Sequence, residues 1–216
     1  MTSTFPEISI STDRLLLRHF EEEDVPSLAA MLNDEAVAAW TDLPQPYTEE
    51  EARAWVLDGA PAERRSGRGI VLAVTEHLTQ RLVGMVRVFA TDWRLHSAQG
   101  SVVTAPWARG EGYAAEALAG TAQWLFEDQG FERLEFRTAA GDTAAQQVAQ
   151  KLGCISEGVL RSAWIVRADG APSRTDLIVW SLLPEDLDDL AAADPADASG
   201  LHPRDGLQRG EYAHWE

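Results

Sequence analysis

Two spacings of apolar residues alternate along the chain. Short continuous or alternating runs predict strands, and runs at i, i+3, i+4, i+7 predict helices. Leu15, Leu16 and Leu17, enclosed by Arg14 and Arg18 after Thr12-Asp13, place a first strand within Glu7–His19. Asp24 then precedes a helix whose apolar positions are Val25, Leu28, Ala29, Met31 and Leu32. Thr48 with Glu51 is a capping-box signature, so a second helix is predicted over Glu49–Asp58, with Ala52, Trp55 and Val56 on one face. Gly59–Gly69, rich in Gly, Ala and Arg, is predicted to be a loop. Gly69–Thr75 and Arg81–Ala90 follow as strands, joined through His77–Gln80 as a hairpin.

Ser101–Thr104 is the next predicted strand. After it, Ala114, Ala117, Leu118, Thr121 and Leu125 mark the buried face of a helix that ends near Gly130. Arg133–Thr138 is a further strand, and Asp142 is the predicted N-cap of a helix through Leu152, stopped by Gly153. Glu157–Arg167 and Arg174–Leu183 read as an antiparallel pair around the turn Ala168–Pro172. Strands first, then strand–helix–strand–helix–strand, predict an α/β (α+β) domain, a mixed sheet with helices on both faces. The domain is expected to span residues 1–183. From residue 184 to 216 the composition changes to an acidic, Ala/Asp-rich extension without hydrophobic periodicity, expected to be partly disordered. Tyr212 and Trp215 near its end leave open docking on a neighbouring surface or a second subunit.

Composition narrows the classes of function. At 216 residues the chain is long enough for one domain with a substantial core. A single cysteine, Cys154, excludes an internal disulfide framework and a multi-cysteine zinc site, and no metal is expected. No basic stretch followed by an apolar run opens the chain, and no apolar run approaches membrane-spanning length, so a cytoplasmic protein without a membrane partner is expected. With 18 Lys and Arg against 35 Asp and Glu, the net charge of -17 argues against a nucleic-acid partner. An anionic surface would instead concentrate cationic substrates such as amines or basic peptides, although the same charge also serves solubility.

The candidate chemistry centres on Arg109-Gly110-Glu111-Gly112-Tyr113-Ala114, a Gly-punctuated turn between a strand and an amphipathic helix. A helix N-terminus after such a turn presents unpaired N–H groups and the positive end of the helix dipole. That arrangement accepts a phosphate or pyrophosphate, and glycines let the backbone approach the anion closely.

The order Arg-x-x-Gly-x-Ala resembles the acyl-CoA pyrophosphate loop of the GCN5-related N-acetyltransferases (GNAT). The longer run Arg-Gly-x-Gly-Tyr-Ala-x-Glu-Ala-Leu, through Glu116-Ala117-Leu118, resembles the subfamily that acetylates protein N-termini, the RimJ/RimL type. So does Thr-x-Arg-Leu-x-Leu-Arg in the first strand. Gly84, Lys151-Leu152-Gly153, Glu157-Gly158 and Asp169-Gly170 before Asp176 fit the same pattern, which runs from about Asp13 to Leu183. The resemblance implies the GNAT fold, with a mostly antiparallel sheet, and acetyl-CoA as co-substrate. It implies transfer of the acetyl group to a primary amine by direct attack. The amine would be a protein N-terminus, an amino acid, a polyamine or an aminoglycoside-like compound, and the protein a monomer or homodimer.

The resemblance also implies site residues. Gly110, Glu111, Gly112, Tyr113, Ala114 and Ala115 would cradle the pyrophosphate, with Arg109 either on a phosphate or in solvent. Val102, Val103 and Thr104 would run beside the pantetheine arm, an N–H near Thr104 serving as oxyanion donor. Asp142, where the subfamily usually carries Asn, would accept from the pantetheine amide. Two departures stand out: the helix segment Val148-Ala149-Gln150-Lys151 has no Tyr to protonate the thiolate, and the subfamily Ser is replaced in Asp142-Thr143-Ala144-Ala145. His96, a side chain that titrates near neutrality, and Glu116 are the candidates for a base. Trp40, Trp93 and Trp164 lie in segments that line the acceptor cleft in the family, Trp107 would brace the loop, and Trp55, Trp124 and Trp180 read as core. Cys154, without a neighbouring His in the sequence, reads as a buried apolar residue rather than a nucleophile. The missing Tyr and Ser keep a second reading open, a non-catalytic acyl-CoA-binding or partner-binding module of the same fold.

Overall fold

A computed structural model of the chain describes residues 4–41, 43–167 and 172–187. Its strands are β1 (Ile10–Ser11), β2 (Leu15–Arg18), β3 (Ile70–Glu76), β4 (Leu82–Asp92), β5 (Ser97–Thr104), β6 (Arg133–Ala139), β7 (Ile155–Val166) and β8 (Ser173–Leu182). They form one sheet in the order β1-β2-β3-β4-β5-β6-β8-β7. All neighbours are antiparallel except β5 and β6. The expected mixed, mostly antiparallel sheet is the one observed. The parallel pair needs a crossover, and the helix between those strands supplies it. In β3, Ile70 to Thr75 are all buried, as a strand covered on both faces requires.

The helices are α1 (Val25–Leu32), α2 (Glu35–Ala38), α3 (Glu49–Ala54), α4 (Ala60–Arg65), α5 (Tyr113–Glu127) and α6 (Thr143–Lys151). The capping box that predicted α3 is present, with Thr48 and Glu51 each bonding the other's backbone N–H. The loop expected over Gly59–Gly69 is instead helical as far as Arg65. One wide π-turn at Trp55–Gly59 joins α3 to α4, and Ala60 N–H reaches back to the Trp55 carbonyl. Pro61 lacks an N–H and clashes with an α-helical ladder, and the wide turn just before it relieves both problems. Glycine and proline there mark an irregular helix rather than its end. The short helix α2 was not anticipated, and β5 starts at Ser97 rather than Ser101. Of the extension expected at 184–216, only residues 184–187 are described, with Leu187 packed on the core. Tyr212, Trp215 and the turn at 168–171 lie outside the described residues. Among the described residues, no helix is long and apolar enough to cross a membrane.

The feature that positions the site is a fork in the sheet. Among the described residues, β5 and β6 pair only at Ser97–Arg133, Ala98–Leu134 and Gln99–Glu135. Beyond that point β6 stays with β8 through Ala139, and β5 continues to Thr104 beside β4 alone. The ring of Phe136 lies at the branch point, where an ideal Cβ on Gly100 would come within 2.6 Å of it. Gly100→Val should therefore destabilise the protein by about 1–3 kcal/mol through overpacking. Urea unfolding would measure it, and a variant as stable as the parent would show that Phe136 does not fill this point.

Candidate active site

The fork leaves one edge of β5 facing a gap. Ala105 N–H donates to the Val83 carbonyl at 2.9 Å, so residue 105 is turned toward β4. Strand alternation then directs the backbone groups of Thr104 and Val102 to the opposite side, where β6 has departed. The backbone of Val102 and Thr104 thus faces the gap, whereas that of Val103 turns toward β4.

The chain turns from β5 into a single 3₁₀ turn at Pro106–Ala108 and then the glycine loop. Trp107 braces this turn: its indole N–H donates to the Leu82 carbonyl at 2.9 Å, and the Arg81 guanidinium lies 5.2 Å from its ring centroid. Gly110 and Gly112 have φ of +85° and +79°, the left-handed region that side chains rarely tolerate. An ideal Cβ on Gly110 would meet nothing within 4 Å, so that side of the loop is open. Gly112 is the N-cap of α5 and supplies no capping side chain. The first-turn N–H groups of Tyr113, Ala114 and Ala115 therefore face an open approach at the positive end of a 15-residue helix.

Side chains hold the loop from several directions. Tyr113 Oη donates to Glu76 Oε1 at 2.6 Å. Hydrogen bonds from the Thr79 and Tyr113 hydroxyls hold the Glu76 carboxyl below its usual range, and the hydrogen bond to Glu76 raises the Tyr113 phenol. Arg109 is paired with Asp34, the N-cap of α2, so it ties the loop to that helix. That contact with Arg109 also holds the Asp34 carboxyl below its usual range.

Glu116 does not lie free in the cleft as a base. Thr12 Oγ1 and Arg14 N–H donate to its Oε1 at 2.6 and 2.8 Å, and Arg14 Nε donates to its Oε2 at 2.6 Å. Burial works to raise this carboxyl, but the Thr12 and Arg14 contacts outweigh it and hold the group ionised below its usual range. A carboxylate engaged in this way has little tendency to take a proton. Glu116 is a strut between α5 and the β1–β2 turn.

His96 is likewise withdrawn. It precedes the first residue of β5, whereas the glycine loop follows the last, about 25 Å further along the strand. Its Nδ1 lies 2.6 Å from the Gly130 carbonyl, in the turn before β6. Trp93 sits at the same remote end, packed on Phe5 and Phe131 at centroid distances of 4.9 and 5.1 Å, with its N–H on the Gly67 carbonyl. It belongs to the core rather than a substrate pocket. Trp40 and Trp164 fare differently. Arg167 N–H donates to the Ala39 carbonyl at 2.9 Å, so the end of α2 meets the end of β7, and both tryptophans lie near that junction. Asp142 caps α6 by accepting from Ala145 N–H at 3.0 Å. Two open concavities of about 540 and 620 Å³ lie elsewhere, around Arg18, Asp24 and Arg81 and around Glu63, Arg68 and Arg87. Neither includes the glycine loop or β5. Among the described residues, no group of three or more His, Cys, Asp or Glu could hold a metal ion.

A family profile described as acetyltransferase (GNAT) domain matches residues 14–155, most of the chain, including β5, β6 and the glycine loop. The chain belongs to the GNAT acetyltransferase family. Uncharacterized N-acetyltransferase YoaA of Bacillus subtilis (strain 168) is 24% identical over 168 residues, covering 78% of this chain and 93% of YoaA. Mycobacterium smegmatis RimJ, solved with CoA-disulfide, superposes with a TM-score of 0.72 at 20% identity, covering 84% of this chain and 90% of RimJ. Ribosomal-protein-S5-alanine acetyltransferase from Vibrio fischeri gives 0.71 at 17%, covering 83% and 98%. Spermidine N-acetyltransferase from Vibrio cholerae, solved with CoA and spermine, gives 0.69 at 16%, covering 82% and 99%. These neighbours share the fold.

Sequence reading missed the contacts of Arg14 with Glu116 and the Glu111 carbonyl, as well as the Asp34–Arg109 and Tyr113–Glu76 pairs. The motif Thr-x-Arg in the first strand was the available signal. Cys154 is buried, and burial pushes its thiol up to about 12. It should resist Ellman's reagent at pH 8 until denaturant is added. Rapid labelling of the native protein would show that the thiol is accessible as a thiolate.

Proposed function

We propose that this protein is an acetyl-CoA-dependent N-acetyltransferase acting on a primary amine. The observation that carries the reading is the juxtaposition at the fork: an unpaired β5 edge at Val102–Thr104 leads directly into a left-handed glycine loop and an uncapped helix N-terminus. The loop residues Gly110–Ala115 fit a pyrophosphate, because their N–H groups are open and no Cβ obstructs Gly110. The backbone of Val102 and Thr104 would bond the amide groups of the pantetheine arm, with Asp142 on the opposite wall. Trp40 and Trp164 would bound the acceptor side.

In the reaction the amine nitrogen attacks the thioester carbonyl, and the Thr104 N–H would stabilise the resulting oxyanion. The C–S bond breaks, the thiolate leaves, and the amine proton passes to solvent. With His96 and Glu116 withdrawn, this scheme uses no side-chain base. A base typically contributes about 10² to 10⁴ in rate, so the choice of amine becomes important. An α-amine with a pKa of about 7.8 is about one-seventh neutral at pH 7, whereas an alkylamine of about 10.4 is neutral in only about one molecule in 2,500. That difference is comparable to what a base would supply. It favours a protein or peptide N-terminus as acceptor, in line with the RimJ/RimL resemblance, and the net charge of -17 favours a cationic one.

Release of CoA thiol from acetyl-CoA, with peptides, amino acids, polyamines and aminoglycosides as acceptors, tests the reading. Amine-dependent release is expected, fastest with an α-amine and rising about tenfold per pH unit below that amine's own pKa. Tight binding of acetyl-CoA with no release for any acceptor would favour the acyl-CoA-binding module instead. Gly112→Val places a side chain at φ +79° and should abolish donor binding in calorimetry. Unchanged affinity would refute the placement of the pyrophosphate.

A further inference from the structure

The glycines that open the donor loop also leave it soft. Positive-φ glycines on either side of Glu111 impose little torsional preference, so the peptides between them need an external hold. Arg14, nearly a hundred residues earlier in the β1–β2 turn, supplies one: its Nη1 donates to the Glu111 carbonyl at 2.9 Å. A trans peptide points its C=O and N–H in opposite directions. Fixing the Glu111 carbonyl on Arg14 therefore fixes the Gly112 N–H on the far side. The guanidinium is itself immobilised. It lies 4.8 Å from the Tyr113 ring centroid, and its Nε and Nη2 both sit 2.6 Å from Glu116 Oε2. Thr12 anchors the other oxygen of that carboxylate, and α5 comes so close that an ideal Cβ on Gly120 would lie 2.8 Å from Thr12 Cγ2.

We propose that Arg14 is a positioning residue of the donor loop: it orients the Glu111–Gly112 peptide so that the Gly112 N–H is presented to the pyrophosphate of CoA. Glu116, through its two oxygens, holds Arg14 in that orientation. This inference rests on the acetyl-CoA reading above, and it assigns Arg14 no contact with the reacting atoms.

Calorimetry with CoA on the full chain, together with the amide proton shift of Gly112 at saturating CoA, tests it. In the parent, CoA should move the Gly112 amide proton downfield, as bonding to a phosphate oxygen does. Arg14→Ala should weaken CoA binding about 10- to 100-fold, the range expected for losing a charge-assisted hold, and abolish that shift. Its melting temperature should stay close to the parent's. Arg14→Lys should recover part of both readouts. If Arg14→Ala fails to fold, Glu116→Gln should show the same pattern more weakly. Parental affinity and an undiminished Gly112 shift in Arg14→Ala, or in Glu116→Gln when that variant replaces it, would overturn the proposal. A parent protein that binds no CoA would overturn the donor reading and this role with it, a result visible before any variant is made.

Discussion

The proposed site depends on β5 parting from β6. A strand inside a sheet normally satisfies its N–H and C=O groups on both sides, and leaving one side open carries a free-energy cost. The chain meets that condition after three paired residues, because Phe136 occupies the branch point and β6 keeps its complete ladder with β8. The exposed edge of β5 is then a template for any extended ligand that carries amides. The crossover rule adds the other half. A parallel β6 requires a crossover connection from β5, which here is α5, so the N-terminus of α5 falls at the mouth of the same gap. An edge that wants amides and a helix end that wants an anion are adjacent for topological reasons, before any catalytic side chain is considered.

Side-chain charge would contribute little to an anion bound at the glycine loop. The two arginines nearest the loop are each committed to a carboxylate, Arg14 to Glu116 and Arg109 to Asp34. In a chain with a net charge of -17, such pairing leaves the backbone N–H groups and the helix dipole, equivalent to roughly half a positive charge, as the main attraction. Backbone donors work only when their direction is fixed. The arginines thus act as geometry-setting groups rather than as bulk positive potential.

The parts legible in the sequence were those set by local rules. Gly110 and Gly112 announce themselves because a left-handed turn excludes most other residues, the Thr48–Glu51 capping box defines the start of α3, and alternation of periods gives the sheet and its crossover. What failed was long-range. Glu116 looked like a base in the motif, yet its partners Thr12 and Arg14 are 104 and 102 residues away and become neighbours only when α5 packs on the β1–β2 turn. His96 is close to β5 in sequence, but strand direction puts it at the wrong end. Trp93 was placed near the cleft by the family resemblance, while the Phe5–Phe131 cluster that it packs in joins distant segments. Gly59 and Pro61 signalled a break, and only the π-turn shows how a helix absorbs them.

The acceptor side follows a similar logic of tethers. A four-residue helix such as α2 cannot hold itself together, since nucleation costs more than so few bonds return. Its position is set from outside: Asp34 at its start is held by Arg109 of the donor loop, and the Ala39 and Thr41 carbonyls after its end are held by Arg167 beyond β7. Trp40 lies between those two attachments. Arg109 of the glycine loop and Arg167 after β7 therefore fix the same segment. A change in either would move Trp40 without touching it, so the acceptor side proposed above would take its shape from the loop and the β7 terminus rather than from α2 itself.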